Sequence, residues 1–207
     1  MTRRLTLLAV LTVALVGDLT AQTRPATAPT AAPAAANARR AGIRVMTLSS
    51  PAFVDGGMMP ARYAQTGRDV SPALSWSGAP DSTRSFVLIV RDADVAIGDG
   101  RDDLLHWMVW NIPGSAISLP EAMPQGAQSA NGIRQISASG PYYRGPAAPS
   151  NGPAHHYIFE LYALDATVNV AAVGMSPPAT RSAVMDAITG HVRGTGVLVG
   201  LYKRPAP

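Results

Sequence analysis

The sequence predicts a mainly β protein, an antiparallel β-sandwich with a few peripheral helices, one of them near the C-terminus. Several apolar stretches of strand length are bounded by Gly, Pro, Asp or Asn, and one segment has convincing helical spacing. Many short strands followed by a late helix are typical of two packed sheets with helix on the outside. The predicted strands are 44–49, 73–77, 85–92, 106–112, 155–164 and 194–202.

Two of these strands and the helix have distinctive patterns. Residues 86–90 and 157–164 are almost continuously apolar, so we expect both strands to lie between layers. Ser176-Pro177-Pro178 is typical of a helix start, and Gly190 of a helix end. The three tryptophans are expected in the core, and they are Trp76, Trp107 and Trp110.

The N-terminal segment resembles a secretory signal peptide. Arg3 and Arg4 precede an apolar run that stops at Gly17-Asp18, short of the ~20 apolar residues that a membrane span needs. We therefore predict a signal peptide over 1–21, with an uncleaved anchor as the alternative. Residues 22–41 are rich in Ala, Pro and Thr and predict a disordered linker, which leaves 42–207 as one domain. The expected location is periplasmic or secreted, without stable membrane insertion after cleavage.

Composition excludes some functions. The chain has no cysteine and a net charge of +4, which falls to +3 when a signal peptide carrying two arginines and one aspartate is removed. The basic residues are scattered singly rather than grouped in a stripe, which argues against nucleic acid as a partner. Without disulfides, the stability of the domain depends on its core.

Two polar segments interrupt the apolar pattern and indicate a site. The first has Asp92 and Asp94, followed by His106; the second is the Gly/Pro loop 145–149, followed by His155. Because Asp92 ends a predicted strand, we expect its carboxylate at the sheet edge with Asp94 pointing the same way. A carboxylate beside either imidazole would fix its tautomer and raise its pKa, so that it donates to an anionic oxygen. A rigid loop would add preoriented backbone amides.

At this spacing the two segments resemble the paired signatures of the phosphatidylethanolamine-binding protein family, and most closely its bacterial Raf kinase inhibitor-like (YbhB/YbcL-type) branch. Those signatures are Asp-Pro-Asp followed by His-Trp, and Gly-Pro-x-Pro-Pro followed by His-Arg-Tyr. Segments 71–76, 111–113 and 190–204 extend the resemblance over nearly all of the domain. It implies an antiparallel β-sandwich, a site for a phosphate-like group, and possible homodimers. By position, the implied ligand-binding residues are Asp92, Asp94, His106, Gly145, Ala147, Ala148, Pro149, His155 and Tyr157.

The sequence departs from the family pattern at three points. Ala93 replaces the Pro of Asp-Pro-Asp, and Ala147-Ala148 replaces a more Gly/Pro-rich pair, which could weaken an anion pocket. His156 replaces an Arg, and since side chains alternate along a strand we expect it on the opposite face from His155. In addition, the acidic segment 96–103 predicts an inserted loop beside the pocket, either a lid or a solvated loop.

We therefore predict a non-enzymatic, exported binding protein with a small pocket for a phosphate or phosphoryl headgroup, without cofactor or metal. One alternative is a hydrolase that uses Asp92, His106 and His155 as general acid and base or as metal ligands. Against it, the chain lacks Gly-x-Ser-x-Gly, His-Glu-x-x-His and cysteine, and adjacent strand residues such as His155 and His156 cannot reach one metal. The other alternative is a secreted interaction module that binds a protein partner.

Overall fold

The computed structural model describes residues 42–97 and 102–206. The predicted signal peptide (1–21) and linker (22–41) lie outside the described residues and stay predictions. The described elements are β1 (Arg44–Val45), β2 (Thr47–Ser49), β3 (Gly57–Met58), a 3-10 turn (Ala61–Tyr63), β4 (Leu74–Ser77), β5 (Ser85–Ile97), β6 (Asp102–Pro113), β7 (Ser118–Leu119), β8 (Arg134–Ile136), β9 (His155–Leu164), α1 (Pro177–Ile188) and β10 (Val192–Tyr202).

These strands form two sheets. The larger sheet has the order β1-β10-β9-β5-β6-β8, with β3 also on β10, and the smaller sheet has the order β2-β4-β7. Most pairs are antiparallel, while β1 and β3 run parallel to β10. The prediction of a mainly antiparallel β-sandwich is confirmed.

The larger sheet is covered on both faces, which explains its continuous apolar strands. Along β5, Leu88 packs into the core shared with the smaller sheet, and its neighbour Ile89 packs into a second core with Val184 and Ile188 of α1. Each face buries alternate residues of the same strand, so apolar residues occupy both phases. As predicted, Trp76, Trp107 and Trp110 are buried in these two cores.

The helix begins and ends close to the predicted positions. Ser176 is its N-cap and accepts a hydrogen bond from the Ala179 N–H, and Pro177 occupies the first helical position. Gly190 follows with φ of +81°, a conformation that favours glycine. Arg181 of this helix pairs with Asp103 of β6, which also pairs with Arg91 of β5. The helix is therefore tied to the sheet by charge as well as by apolar contact.

The structure corrects three strand boundaries. Residues 44–49 form two strands instead of one, because Met46 donates its N–H to Thr195 O and the chain then passes from the larger to the smaller sheet. Strand β5 continues to Ile97 and strand β6 begins already at Asp102, and these two residues pair with each other. Of the loop predicted over 96–103, residues 96, 97, 102 and 103 are therefore strand, and 98–101 lie outside the described residues.

The short strands β3, β7 and β8 were not predicted, since two or three residues carry no periodic pattern. Within residues 42–97 and 102–206, no helix has the length and apolar character required to cross a bilayer.

Candidate functional site

The candidate site begins with a buried, hydrogen-bonded aspartate–histidine pair between neighbouring strands. Antiparallel pairing of β5 with β9 sets Asp92 opposite Tyr157 and so brings it close to His155. The Asp92 Oδ2 atom lies 2.9 Å from His155 Nδ1, and the Asp92 side chain is only 2% exposed. Because a carboxylate accepts hydrogen bonds, Nδ1 carries the proton and His155 Nε2 is the ring nitrogen left for a ligand.

Asp92 does not lie at the sheet edge, as the sequence led us to expect. Strand β5 lies between β9 and β6 in the larger sheet and continues to Ile97. The carboxylate is therefore buried on an interior strand of the larger sheet rather than at a strand terminus. Its second oxygen accepts a hydrogen bond from the Asp94 N–H at 3.0 Å.

That local hydrogen bond accompanies an irregularity that turns Asp94 away from Asp92. The β5–β6 register shifts between Asp92 and Ile97, and an aspartate that bonds a backbone amide two residues on bends the chain. Asp94 instead accepts hydrogen bonds from the backbone N–H and the Nδ1 of His156. Asp94 was expected to point the same way as Asp92, and the structure places it in an exposed pair with His156.

His106 is the most deeply buried histidine of the site. Its Nδ1 lies 2.7 Å from Arg144 O, and since a carbonyl can only accept, Nδ1 carries the proton. The ring meets Tyr157 edge to face, with centroids 5.0 Å apart. Nε2 is buried, and no group of the described residues forms a hydrogen bond with it.

Burial, more than any neighbouring charge, lowers the pKa of His106 below 6.5. We expected a carboxylate beside His106 or His155 to raise the imidazole pKa. For His106 that expectation is wrong, because the cost of desolvating an imidazolium exceeds the attraction of Asp92. His106 therefore presents a lone pair at Nε2 rather than an N–H group.

Tyr157 organises the loop amides. Its hydroxyl oxygen accepts hydrogen bonds from the N–H groups of Ala147 and Ala148, at 3.1 and 3.2 Å. Burial raises the pKa of Tyr157 well above its usual value, and the negative charge of Asp92 adds to this effect. The loop is preorganised, as expected, but in this structure its amides bind the protein's own hydroxyl.

Gly145 anchors the loop through hydrogen bonds of its backbone. Its N–H donates to Asp69 Oδ1 at 2.6 Å, and its carbonyl accepts from Gln65 Nε2 at 2.7 Å. A Cβ atom on Gly145 would lie 2.2 Å from Tyr63 O, a contact that only glycine avoids. Gly145 thus holds the loop against the segment around the 3-10 turn, and its own amide is occupied.

These groups surround a cavity of about 110 Å³. For scale, one water molecule in the liquid occupies roughly 30 Å³, so the cavity suits a small group rather than a lipid chain. The predicted residues that line it are Asp92, His106, Ala147, Ala148, Pro149, His155 and Tyr157. The other two predicted residues, Asp94 and Gly145, are not part of the lining.

Four lining residues were missed by the sequence analysis, namely Gln65, Val95, Leu104 and Arg144. Arg144 adjoins the loop and could have been found by asking which cation lies closest to it. Gln65 is 80 residues from Gly145 along the chain, and nothing in its local sequence marks it. In the part of the chain that the structure describes, no three His, Asp or Glu side chains are grouped so that they could hold a metal ion.

Comparison with known proteins agrees with this fold. The sequence profile described as phosphatidylethanolamine-binding protein matches residues 49–203. A UPF0098 protein of Methanothermobacter thermautotrophicus is 37% identical over 161 residues, covering 77% of this chain and 99% of that protein. A UPF0098 protein of Pyrococcus horikoshii is 36% identical over 159 residues, covering 75% of each chain.

Two solved structures are also similar. A crystal structure of a phosphatidylethanolamine-binding protein homolog from Chlamydia trachomatis aligns with a TM-score of 0.64 and 31% identity, covering 78% of this chain and 99% of that one. E. coli YbcL, described as a member of the mammalian PEBP family, aligns with a TM-score of 0.65 over 77% of this chain and 99% of that one; at 22% identity it shows the fold alone. From its sequence and its fold, this chain belongs to the phosphatidylethanolamine-binding protein family.

Proposed function

We propose that this chain is an exported binding protein whose cavity takes a phosphate or phosphoryl headgroup. The observation that carries the proposal is the meeting of two imidazoles and one guanidinium around a small, preorganised cavity. His155, His106 and Arg144 all line it, and each comes from a different part of the chain. Arg144, and His155 when it is protonated, supply donors and positive charge in a partly desolvated place, as small anions require, while His106 presents an acceptor.

Asp92 prepares His155 for this role. The carboxylate holds His155 Nδ1–H at 2.9 Å and so fixes the ring orientation. A protonated His155 would then donate from Nε2 to an anionic oxygen while its charge is balanced by Asp92. Each Asp92 oxygen accepts a hydrogen bond, one from His155 Nδ1 and one from the Asp94 N–H, and these donors offset part of its repulsion of an anion.

An NMR titration of the full chain with inorganic phosphate and with phosphoethanolamine tests the proposal. We expect the imidazole signals of His106 and His155 to shift saturably, and those of His156 and His191 to respond little. His155→Ala should weaken binding at least about tenfold, since a hydrogen bond to a charged group contributes about 1.5–3 kcal/mol.

The chain offers a matched control for that variant. His191 Nδ1 also pairs with an aspartate, Asp165 Oδ1, at 2.8 Å, but on the surface. His191→Ala should therefore leave binding unchanged. If no histidine signal responds to either ligand, anion binding is wrong and the protein-interaction alternative replaces it. Release of phosphate from phosphoethanolamine in the same sample, followed by ³¹P NMR, would instead favour the hydrolase.

Export has its own test. We expect the mature protein, isolated from cells that express the full chain, to begin near Gln22 when its N-terminus is sequenced. An intact Met1 in a membrane fraction would contradict cleavage and favour an uncleaved anchor.

A further inference from the structure

We propose that the cavity selects ligands that carry a protonated anionic group, and so prefers a phosphomonoester monoanion to a phosphodiester, because the ligand must donate a hydrogen bond to His106 Nε2. The proposal deepens the phosphoryl-binding function given above and rests on it. It identifies the chemical class of the ligand, a small molecule that has both a negative charge and a P–OH group.

The tautomer of His106 is the first step. Its Nδ1 lies 2.7 Å from Arg144 O and must donate to it, so a neutral ring has a bare lone pair at Nε2. The side chain is 1% exposed, and Nε2 is a buried polar atom with no hydrogen-bond partner in the described structure. A buried acceptor left unpaired is unfavourable, and a ligand that donates to it removes that cost.

The surroundings of His106 disfavour the other solution, in which the ring takes up a proton and donates. The charged or titratable groups around it are Asp92, Arg144, His155 and Tyr157. The Tyr157 hydroxyl oxygen already accepts from two amides, and the two Asp92 oxygens already accept from His155 Nδ1 and the Asp94 N–H. The Arg144 charge disfavours a second cation on His106. Of these neighbouring charges, only that of Asp92 favours a protonated His106.

The acceptor at His106 Nε2 distinguishes ligands by whether they carry one P–OH hydrogen. A phosphomonoester monoanion has one P–OH group for His106 Nε2 and two unprotonated oxygens for cationic donors. A phosphodiester has the same charge but no hydrogen, so its oxygen would face the lone pair of Nε2. A site built to pair with a substrate hydrogen strongly rejects an analogue that lacks it.

The test compares methyl phosphate, methyl sulfate and dimethyl phosphate by calorimetric titration of the full chain at pH 5. Methyl sulfate matches the methyl phosphate monoanion in size and charge and lacks only the proton. We expect methyl phosphate to bind at least about tenfold more tightly than either of the others. At pH 8, above the second phosphate pKa of about 6, the advantage over methyl sulfate should disappear.

Two controls make the result specific. ¹⁵N NMR of the methyl phosphate complex should show His106 as a neutral ring with a hydrogen-bonded Nε2. His106→Gln should bring the affinities for methyl phosphate and methyl sulfate close together, because a glutamine amide can either donate or accept, while His191→Gln should keep them apart. The comparison of the two ligands on the unmodified chain stands even where His106→Gln does not fold.

The outcomes separate this proposal from the function on which it rests. Equal binding of methyl sulfate and methyl phosphate, or an imidazolium at His106 in the complex, would overturn the selection for a protonated group while leaving anion binding intact. If none of the three ligands binds, the proposed anion-binding function itself is wrong and the selection is lost with it.

Discussion

The Asp92–His155 and Asp94–His156 pairs connect the same two strands with the same N···O distance of 2.9 Å, yet they lie in different environments. In the inner pair the histidine is 16% and the aspartate 2% exposed; in the outer pair the values are 54% and 40%. The inner pair lines the cavity and the outer pair faces solvent. Residue type and distance are thus equal, and burial is the main difference between a pair that lines the cavity and a pair at the surface.

The physical reason lies in desolvation and screening. Water and salt weaken the attraction between exposed charges, so such pairs contribute about 0–1 kcal/mol. A buried carboxylate has lost its water and depends on the groups that replace it. We therefore expect the same substitution to lower the free energy of unfolding more in the inner pair than in the outer pair.

Replacing the inner aspartate should have the largest effect. Asp92→Ala removes the acceptor of both His155 Nδ1 and the Asp94 N–H. We expect the free energy of unfolding to fall by about 2–3 kcal/mol, as for hydrogen bonds to a buried charged group. Urea denaturation at pH 7 measures it. A loss no greater than that of Asp94→Ala would remove the distinction between the two pairs.

The loop that lines the cavity together with the inner pair should be nearly as sensitive. In Gly145→Ala the new Cβ would meet the Tyr63 backbone, and we expect a loss of about 1–3 kcal/mol from overpacking. Gly152 is the matched control, since a Cβ there meets nothing within 4 Å. Thermal unfolding of Gly145→Ala and Gly152→Ala compares them. Similar melting temperatures would show that the close contact between Gly145 and the Tyr63 backbone does not contribute to stability.

The pH dependence of stability should reveal the buried histidine. Because burial lowers the pKa of His106 in the folded state, the unfolded chain binds its proton first as pH falls. The associated stability is therefore present above about pH 6.5 and is lost on acidification, by up to about 1.4 kcal/mol per pH unit.

Urea unfolding at pH 7 and pH 5.5 measures this slope. His106→Gln should flatten it, and His191→Gln, which replaces an exposed histidine, should not. An unchanged slope in His106→Gln would mean that His106 does not titrate differently in the two states.

The outer pair should show the smallest effect. Asp94→Ala should lower the free energy of unfolding by less than about 1 kcal/mol at pH 7, given its exposure to screening. Burial alone would raise the pKa of Asp94, but hydrogen bonds from the His156 amide and imidazole outweigh it and lower that pKa below 3.8. The contribution is therefore present above about pH 3.8 and lost as pH falls further.

Urea titrations of Asp94→Ala and the unmodified chain at pH 7 and pH 3 test this. We expect the difference in free energy of unfolding between the two proteins to be smaller at pH 3 than at pH 7. A difference that grows on acidification would contradict the sign of the shift.

The long elements were predictable because their patterns are local. Strand β9 has the predicted bounds, and helix α1 starts after Ser176 as its capping residues indicate. The opposite orientation of His155 and His156 also follows from strand alternation. Asp94 was placed on the wrong side because the strand is irregular there: the Asp94 N–H donates to the Asp92 side chain, and strand alternation takes no account of such a bond.

The sequence by itself determined the alternation of layers, the late helix, and the two polar segments that supply the cavity, because spacing along the chain sets which side chains share a face. Only the tertiary structure decided that Gln65 and Arg144 join the cavity, that Gly145 serves as support, and that His106 keeps a bare Nε2. Those outcomes depend on burial and on contacts between residues far apart in the chain. Desolvation and hydrogen-bond pairing, which set protonation and exposure, exist only once the two sheets have packed.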